Sequence, residues 1–407
     1  MKNHKYVYSF LILLGFLSSS YAQSTPDTIL KDPIKIRLPL DNAKGGQISD
    51  YFKPVIFIPL ETSKKSLFGS IYRMEVTDDY FIVQDNDTNS ILFFFRNGKF
   101  HCRINVGNKS NRPQNAIATW AINRHTKTLY YLKDQGDICY IYDFNGKKIK
   151  EQDVSKEGSW TNIEFINDHQ YVSNNGYGHI GDKIKYFLSF FDYQNQLQST
   201  ALSYSEYDIL NGDVLGSPNG PFYAQGQNFI LYTKSYDHKI YRIENNQAFP
   251  QYQLILPLKY AVPDNFLSDQ IYATKKVKYF DQNKSSVYEI TNCFELGDQL
   301  FFRLRNNDRN FKSDFVYNMK TANLVTIQRM TPDESSYYLP VASDLNFVSD
   351  GFLCSDGTSL YTAISANSLS DSMKENREKL QKGSDFPENL KALKAEANPI
   401  IRQITPR

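Results

Sequence analysis

The sequence has 407 residues, with 46 lysines and arginines against 44 aspartates and glutamates, and 14% of its residues are aromatic. This balance argues against the basic surface by which proteins bind nucleic acid or anionic lipid through bulk charge. The length exceeds the usual size of one domain and indicates either several domains or a single repeat fold.

The first 22 residues have the pattern of a secretory signal peptide. Lys2 and Lys5 precede an apolar run, and small residues at Ser20 and Ala22 form the end of a cleavage signal. The apolar run is far shorter than the roughly 20 residues needed to span a bilayer. We therefore expect cleavage near Ala22 and a mature chain, without a transmembrane segment, in the periplasm or outside the cell.

The segment from residue 70 to 105 predicts four short antiparallel strands. Alternating apolar, β-branched and aromatic residues place the strands near 70–76, 80–85, 90–96 and 99–105. Asn97-Gly98 lies between the last two strands and favours a two-residue turn with positive φ at both positions. Because strand side chains alternate between faces, Phe94 should point away from Phe93 and Phe95.

The same four-strand plan recurs along the chain. Turns corresponding to Asn97-Gly98 follow at intervals of about 50 residues, a period typical of propeller blades. These turns are Asn145-Gly146, Gln194-Asn195, Asn245-Asn246 and residues 321–323. Five repeats of four strands predict an all-β fold, a β-propeller of four-stranded antiparallel blades.

The sixth blade requires strands from both ends of the chain. Residues 341–364 supply two strands, the final ANPIIRQITP a third, and PVIFIPLE at 54–61 the fourth. A helical insertion at about 368–395, divided at Gly383, interrupts this blade, and the link at 257–286 has room for a short helix. Since closure of the ring removes exposed strand edges, we expect residues 23–407 to form one six-bladed domain and a monomer.

The sequence of the first blade resembles that of one protein family. The segment from Glu61 to Pro113 resembles the opening blade of secreted or lipid-anchored bacterial six-bladed β-propeller proteins, distantly similar to the NHL and TolB propellers. The matching residues are Ser66, Leu67, Gly69, Asp85, Phe93, Gly98, Lys99 and Phe100. The resemblance implies the six-bladed fold and little chemistry, since most members have no assigned function. The glycine-rich loop that follows the family's first blade is largely replaced here, with Gly107 and Pro113 retained.

The loops that join blades, and those that join second to third strands, form the face on which propellers usually bind ligands. Basic and aromatic residues in these loops could contact an acidic group, a sugar ring or a peptide side chain. The candidates are Lys109, Arg112, Tyr177, His179, Tyr236 and Arg305. We therefore expect a non-catalytic binding or scaffold protein that recognises a glycan, a peptide or an envelope protein through this face.

An enzymatic alternative rests on acidic residues in the same loops. Five carboxylates could converge on the channel and hold Ca²⁺, which prefers oxygen ligands, in a metal-assisted hydrolase or lyase. They are Asp85, Asp134, Asp182, Asp237 and Asp308. Aspartate is also a common turn former, and the sequence contains no zinc-ligand pair, serine-nucleophile motif or phosphate loop. We therefore expect no cofactor and favour the binding protein.

Four cysteines lie in predicted strands: Cys102, Cys139, Cys293 and Cys354. Export would permit disulfides, and four cysteines allow three pairings. Their apolar surroundings instead favour buried side chains.

Overall fold

Strands dominate the chain and form six sheets. The computed structural model describes residues 32–107, 116–133, 137–154, 162–175, 186–204, 215, 221–226, 229–272, 274–341, 351–381 and 386–407. Each sheet contains four antiparallel strands, and two sheets carry a fifth. First strands of several neighbouring sheets contact one another around a central channel. The predicted six-bladed β-propeller is therefore confirmed.

Blade 1 follows the predicted strand positions closely, and blades 2 and 3 repeat its plan of four strands. The strands of blade 1 are Arg73–Val76, Tyr80–Asp85, Ser90–Phe95 and Phe100–Asn105. Those of blade 2 are Ile117–Asn123, Thr128–Lys133, Ile138–Asp143 and Lys148–Asp153. Those of blade 3 are Ile163–Phe165, Gln170–Asn174, Tyr186–Asp192 and Leu197–Ser203. The first strand of each blade lines the channel and is called the inner strand below.

Blades 4 to 6 complete the ring. The strands of blade 4 are Phe222–Ala224, Ile230–Tyr232, Lys239–Glu244 and Gln247–Ile255. Those of blade 5 are Glu289–Leu296, Gln299–Arg305, Asp314–Asn318 and Asn323–Thr331. Those of blade 6 are Cys354–Ser355, Leu360–Ile364, Ile400–Ile404 and, from the other end of the chain, Ile56–Pro59.

The predicted closure of blade 6 by both ends of the chain is confirmed. Ile56–Pro59 pairs antiparallel with Ile400–Ile404, and Ile58 lies opposite Ile401. Ile400, Ile401 and Ile404 are fully buried. Hydrophobic burial therefore stabilises the joining of the two ends in blade 6, and Ile401 also packs in an apolar cluster shared with blade 1.

Two short N-terminal strands were not predicted. Ile34–Arg37 runs parallel to the outer strand of blade 4, and Lys44–Gln47 runs parallel to the outer strand of blade 5. A four-residue helix, Ile48–Tyr51, follows. These strands cover the outer edges of two blades, which would otherwise expose unpaired backbone groups.

The turn at Asn97-Gly98 differs from the prediction. Gly98 has a φ of 83°, but Asn97 is not among the residues with positive φ. The amide of Gly98 donates to the carbonyl of Phe95, and the strand pair has a bulge at Phe93 and Phe94. A three-residue loop closed by glycine therefore replaces the two-residue turn. Asn245-Asn246 does have positive φ at both positions.

Aromatic side chains fill the spaces between blades. Phe94 packs in the cluster between blades 6 and 1, whereas Phe93 packs in the cluster between blades 1 and 2. Their opposite orientations are as predicted.

Cys139, Cys293 and Cys354 are buried and Cys102 is half-buried, so these cysteines contribute mainly as small apolar side chains.

The other described α-helices lie in the two predicted regions. Lys276–Gln282 forms the short helix in the link between blades 4 and 5. The insertion in blade 6 contains Ala366–Glu375, Arg377–Gln381 and Glu388–Lys391. The predicted division at Gly383 lies outside the described residues, and a further break occurs at Asn376, whose side chain donates to the carbonyl of Ser372. None of the described helices is long and apolar enough to cross a bilayer.

Within the described residues, shorter 3-10 turns occur at three places. They are Leu40–Asn42, Gln270–Tyr272 and Glu334–Ser336. Asp333 caps the last of these by accepting from the amide of Ser335, and its other oxygen accepts from the amide of Ser49. The cap therefore ties the N-terminal segment to the end of blade 5.

Candidate functional site

The propeller has two faces that differ in their loops. The loop face carries the connections between blades and those from second to third strands, and the turn face carries the remaining tight turns. Each inner strand starts at the loop face and ends at the turn face. A residue early in an inner strand therefore lies near the loop-face end of the channel.

A cavity of about 520 Å³ opens at the loop-face end of the channel. Its wall is formed at the starts of the inner strands of blades 1, 4 and 5, just before the inner strand of blade 6, and at the end of the second strand of blade 5. We call it the loop-face cavity. Its aromatic residues are Tyr72, Tyr223, Tyr288, Phe311 and Phe352, and its charged residues are Arg73, Glu289, Arg303, Arg305 and Asp308. The volume is in the range of about 300–1,000 Å³ that small-molecule sites commonly have.

A β-bulge in the inner strand of blade 5 shapes one side of this cavity. The register with the next strand shifts between Thr291 and Phe294, and Asn292 has a φ of 52°. The side-chain amide of Asn292 donates to the carbonyl of Phe352 at 2.6 Å. The hydroxyl of Thr291 is buried in the wall and has no hydrogen-bond partner among the described residues. Bulges often redirect side chains beside functional sites.

Two ion pairs fix arginines on the blade 5 wall. Arg305 donates to Glu289 at 2.9 Å, and the carboxylate is fully buried while 42% of the arginine side chain is exposed. Arg303 donates to Asp314 at 2.8 Å, and burial raises the pKa of the Asp314 carboxyl. These pairs hold the guanidinium groups in place before any ligand arrives.

Four alternating charges connect the loop-face cavity with the turn-face end of the channel. Arg73, in the cavity wall, donates to Glu75 at 3.0 Å, and its guanidinium lies 4.6 Å from the ring centre of Trp120. Arg124 contacts Glu75 at 2.6 Å and Glu164 at 2.9 Å. The four side chains come from blades 1, 2 and 3, so the network ties three inner strands together.

The turn-face end of this network is closely packed. Arg124 is 9% exposed and Glu164 is 3% exposed. Burial, followed by the nearby Glu75 carboxylate, raises the pKa of Glu164 to about 7 although Arg124 opposes the shift. Arg124 also lines two smaller cavities on the turn face, of about 140 and 270 Å³. Here the arginine is held on both sides by carboxylates.

Only part of the predicted ligand set falls within the described residues. Lys109, Arg112, Tyr177 and His179 lie outside them. Arg305 does line the loop-face cavity. Tyr236 is buried, and its ring stacks on Phe280 and lies edge-on to Phe266. Tyr236 therefore packs in the core beside the link between blades 4 and 5. Its backbone amide donates to the carbonyl of Tyr288, which lines the loop-face cavity with Arg305, but Tyr236 itself does not line that cavity.

Three of the five predicted metal ligands are described, and each has contacts within its own loop. Asp85 accepts from the amides of Ser70 and Thr88. Asp237 pairs with Lys234 at 3.0 Å, and Asp308 accepts from the amide of Asn310. The other two, Asp134 and Asp182, lie outside the described residues. In the described part of the chain, no three acidic, histidine or cysteine residues are placed to hold a metal ion.

Sequence reasoning missed the charged residues of the inner strands. Arg73, Glu75, Glu164 and Glu289 alternate with apolar residues, which is also how ordinary half-exposed strands look. One sequence signal could have indicated charged residues in the channel, because the predicted first strands of repeats 1, 3 and 5 each contain a glutamate. Charged residues on strands that line a channel meet across it and must be paired.

The comparisons with known proteins agree on the fold. A family model described as "Domain of unknown function (DUF4934)" matches residues 33–404. A solved structure named "Putative exported protein" from Bacteroides fragilis NCTC 9343 is similar, with a TM-score of 0.66 and 14% identity over 92% of this chain and 99% of that chain. No curated protein matches this chain.

A second solved structure is a member of the DUF4221 family from Bacteroides vulgatus. It has a TM-score of 0.44 and 10% identity over 88% of this chain and 97% of that chain. The fold that the chain shares with the Bacteroides fragilis protein is consistent with the family resemblance found in the sequence.

Proposed function

This chain belongs to the DUF4934 family, and from that premise we propose that it is an exported, non-catalytic binding module whose ligand site is the loop-face cavity. The ligand is a glycan, a peptide or an exposed segment of a partner protein. The observation that carries the proposal is a cavity of about 520 Å³ whose wall combines aromatic rings with fixed ion pairs. Polar groups held in place beside apolar surface are the usual composition of a ligand site.

The rim of the cavity offers an accessible aromatic ring. The side chain of Tyr72 is 47% exposed, although it adjoins the inner strand of blade 1. Tyrosine supplies a large contact area and loses little conformational entropy when a ligand covers it. Tyr72 therefore supports the placement of the ligand at this end of the channel.

The arginines of the wall are already held in one arrangement. Arg303 and Arg305 are fixed by Asp314 and Glu289, and Arg73 by Glu75. Side chains that are fixed in advance lose less entropy on binding than free ones. The cavity is therefore prepared for recognition through hydrogen bonds to its ligand.

We propose that the cavity is not catalytic because the acidic residues of its wall already have hydrogen-bond or ion-pair partners. Glu289 is bound by Arg305, and Asp308 accepts from a backbone amide of its own loop. General acid–base catalysis requires a side chain that is free to exchange a proton with the ligand. We therefore propose binding without a covalent step. Export rests on the N-terminal signal pattern in the sequence.

A binding screen with two cavity variants tests this function. The mature chain would be screened against soluble oligosaccharides and short peptides by ligand-observed NMR, and each binder titrated by calorimetry. Tyr72→Ala and Arg305→Met should each weaken the binders at least tenfold, because each removes one side of the site. Tyr193→Ala is the matched control, since this tyrosine is 65% exposed and lies at a turn of blade 3. Binders that are insensitive to both cavity variants would place the ligand elsewhere and refute the proposal.

A further inference from the structure

We infer that the ligand of the loop-face cavity is a neutral sugar, bound through its hydroxyl groups and one ring face. This inference rests on the proposed function and specifies the ligand class. It depends on three properties of the cavity: its charge balance, its mixture of donors and acceptors, and the position of its exposed ring.

The charge balance disfavours an anionic ligand. Each arginine of the wall is already paired with a carboxylate, namely Arg73 with Glu75, Arg303 with Asp314, and Arg305 with Glu289. Asp308 adds a further negative charge to the lining. The local charge is thus neutral to negative, and an acidic ligand would face carboxylates without an arginine reserved for it.

The same balance disfavours a cationic ligand, because the carboxylates that pair with the arginines are already neutralised, and the remaining acid, Asp308, accepts from the amide of Asn310 in its own loop. Glu289 is fully buried beneath Arg305, so a cation would have to displace the guanidinium to reach it. A neutral ligand avoids both costs, since it needs no charge of its own to be desolvated.

The wall supplies donors and acceptors side by side. Guanidinium groups only donate, whereas carboxylates only accept. A sugar hydroxyl does both, so adjacent hydroxyls can each bond to an arginine and to a neighbouring acid or amide. Asn306 and Asp308 both line the cavity, and the side-chain oxygen of Asn306 accepts from the backbone amide of Asp308 at 3.0 Å. Thr291 adds a buried hydroxyl without a partner in the described residues.

The exposed ring completes the site. Tyr72 lines the cavity together with Arg73 and is exposed, so it lies at the rim. The C–H face of a sugar ring is apolar and can stack on an aromatic face, while its hydroxyls point sideways to polar groups. This arrangement of one ring and flanking polar pairs fits a sugar better than it fits a charged or wholly apolar ligand.

Matched oligosaccharide panels test the inference. Calorimetry on the mature chain would compare neutral hexose, N-acetylhexosamine, pentose and deoxyhexose oligosaccharides with uronate oligosaccharides of equal length and with short neutral peptides. We expect at least one neutral oligosaccharide to bind, with affinity at least tenfold above that of its uronate counterpart. Tyr72→Ala should lower that affinity at least tenfold and Tyr193→Ala should leave it unchanged, while thermal unfolding confirms that both variants fold.

The outcomes separate this inference from the proposed function. Equal or tighter binding of the uronate ligands, no binding of any neutral oligosaccharide, or neutral binding unchanged in Tyr72→Ala would overturn the sugar inference. If peptides alone bind and Tyr72→Ala weakens them, the sugar inference fails while the binding function at this cavity stands.

Discussion

The two ends of the central channel use the same residue types in different ways. At the turn-face end, Arg124 is 9% exposed and lies between Glu75 and Glu164. At the loop-face end, Arg305 is 42% exposed and contacts one buried carboxylate, Glu289. Arg124 is buried by the surrounding protein, whereas part of the Arg305 side chain is exposed to the cavity.

This difference shows how burial determines the role of an ion pair. A charge removed from water must be compensated by its neighbours, so the loss of one partner is costly. An arginine that remains partly hydrated can be lost at lower cost and can still bond to a ligand. We therefore interpret the turn-face end as a structural closure and the loop-face end as the place of recognition.

The largest effect is expected for Arg124→Met. This change leaves two buried carboxylates without their shared partner, and breaking a buried pair in this way costs about 3–5 kcal/mol. Urea unfolding followed by tryptophan fluorescence or circular dichroism would measure the loss in the free energy of unfolding. Adding Glu75→Gln and Glu164→Gln should restore part of the stability, because the uncompensated charges are then removed.

Lys127→Met is the matched control for Arg124→Met. Lys127 lies three residues away and pairs with Asp79, but both side chains are at least half exposed. Exposed pairs contribute about 0–1 kcal/mol. A loss of stability in this control as large as that in Arg124→Met would show that burial does not distinguish the two sites.

The next effect concerns pH. The pKa of Glu164 is raised to about 7 in the folded protein from an ordinary value of 4.5. Between these values the folded state holds a proton that the unfolded state has lost, so stability falls as pH rises from about 4.5 to 7 and then levels off. The total change is on the order of 3 kcal/mol, since one pKa unit is worth about 1.4 kcal/mol.

Glu164→Gln isolates this contribution. The amide oxygen can still accept from Arg124 but does not titrate, so the fall in the free energy of unfolding between pH 4.5 and 7 should become shallower. Urea unfolding at several pH values would measure the slope in both proteins. An unchanged slope would assign the pH dependence to other groups.

A smaller effect on stability is expected for Arg305→Met at the loop-face end. Glu289 loses its arginine, but the site adjoins a cavity that water can enter, so we expect a cost of about 1–2 kcal/mol. The free energy of unfolding should therefore fall less than in Arg124→Met. The reverse order would contradict the comparison between the two ends of the channel.

Local signals predicted the blades well because a hairpin is specified by neighbouring residues. Strands near 80–85 and 90–96 agree with Tyr80–Asp85 and Ser90–Phe95, since alternating side chains and turn residues act within a few positions. The strand Ile34–Arg37 was missed because its partner, Gln247–Ile255, lies over 200 residues away. Its four residues are too few to show a clear alternation of apolar and polar side chains. The segment is a strand because it pairs with the outer strand of blade 4.

The candidate site could be predicted only in part. Arg305 was found because it ends a strand next to a loop of the expected face, whereas Arg73 and Glu289 look like ordinary strand residues. Tyr236 has the same sequence setting as a loop aromatic, yet it stacks on Phe280 from the link between blades 4 and 5. Which aromatic is buried depends on a segment more than forty residues further along the chain.

By itself, the sequence determined the repeat of four strands, the number of blades and the joining of both chain ends in blade 6. These features follow from period-two burial and turn chemistry, which act over short distances. Only the tertiary structure decided which charges meet in the channel and which ring remains exposed at its mouth. The physical reason is that inner strands from different blades approach one another only after the ring has closed, and burial then fixes their pairing.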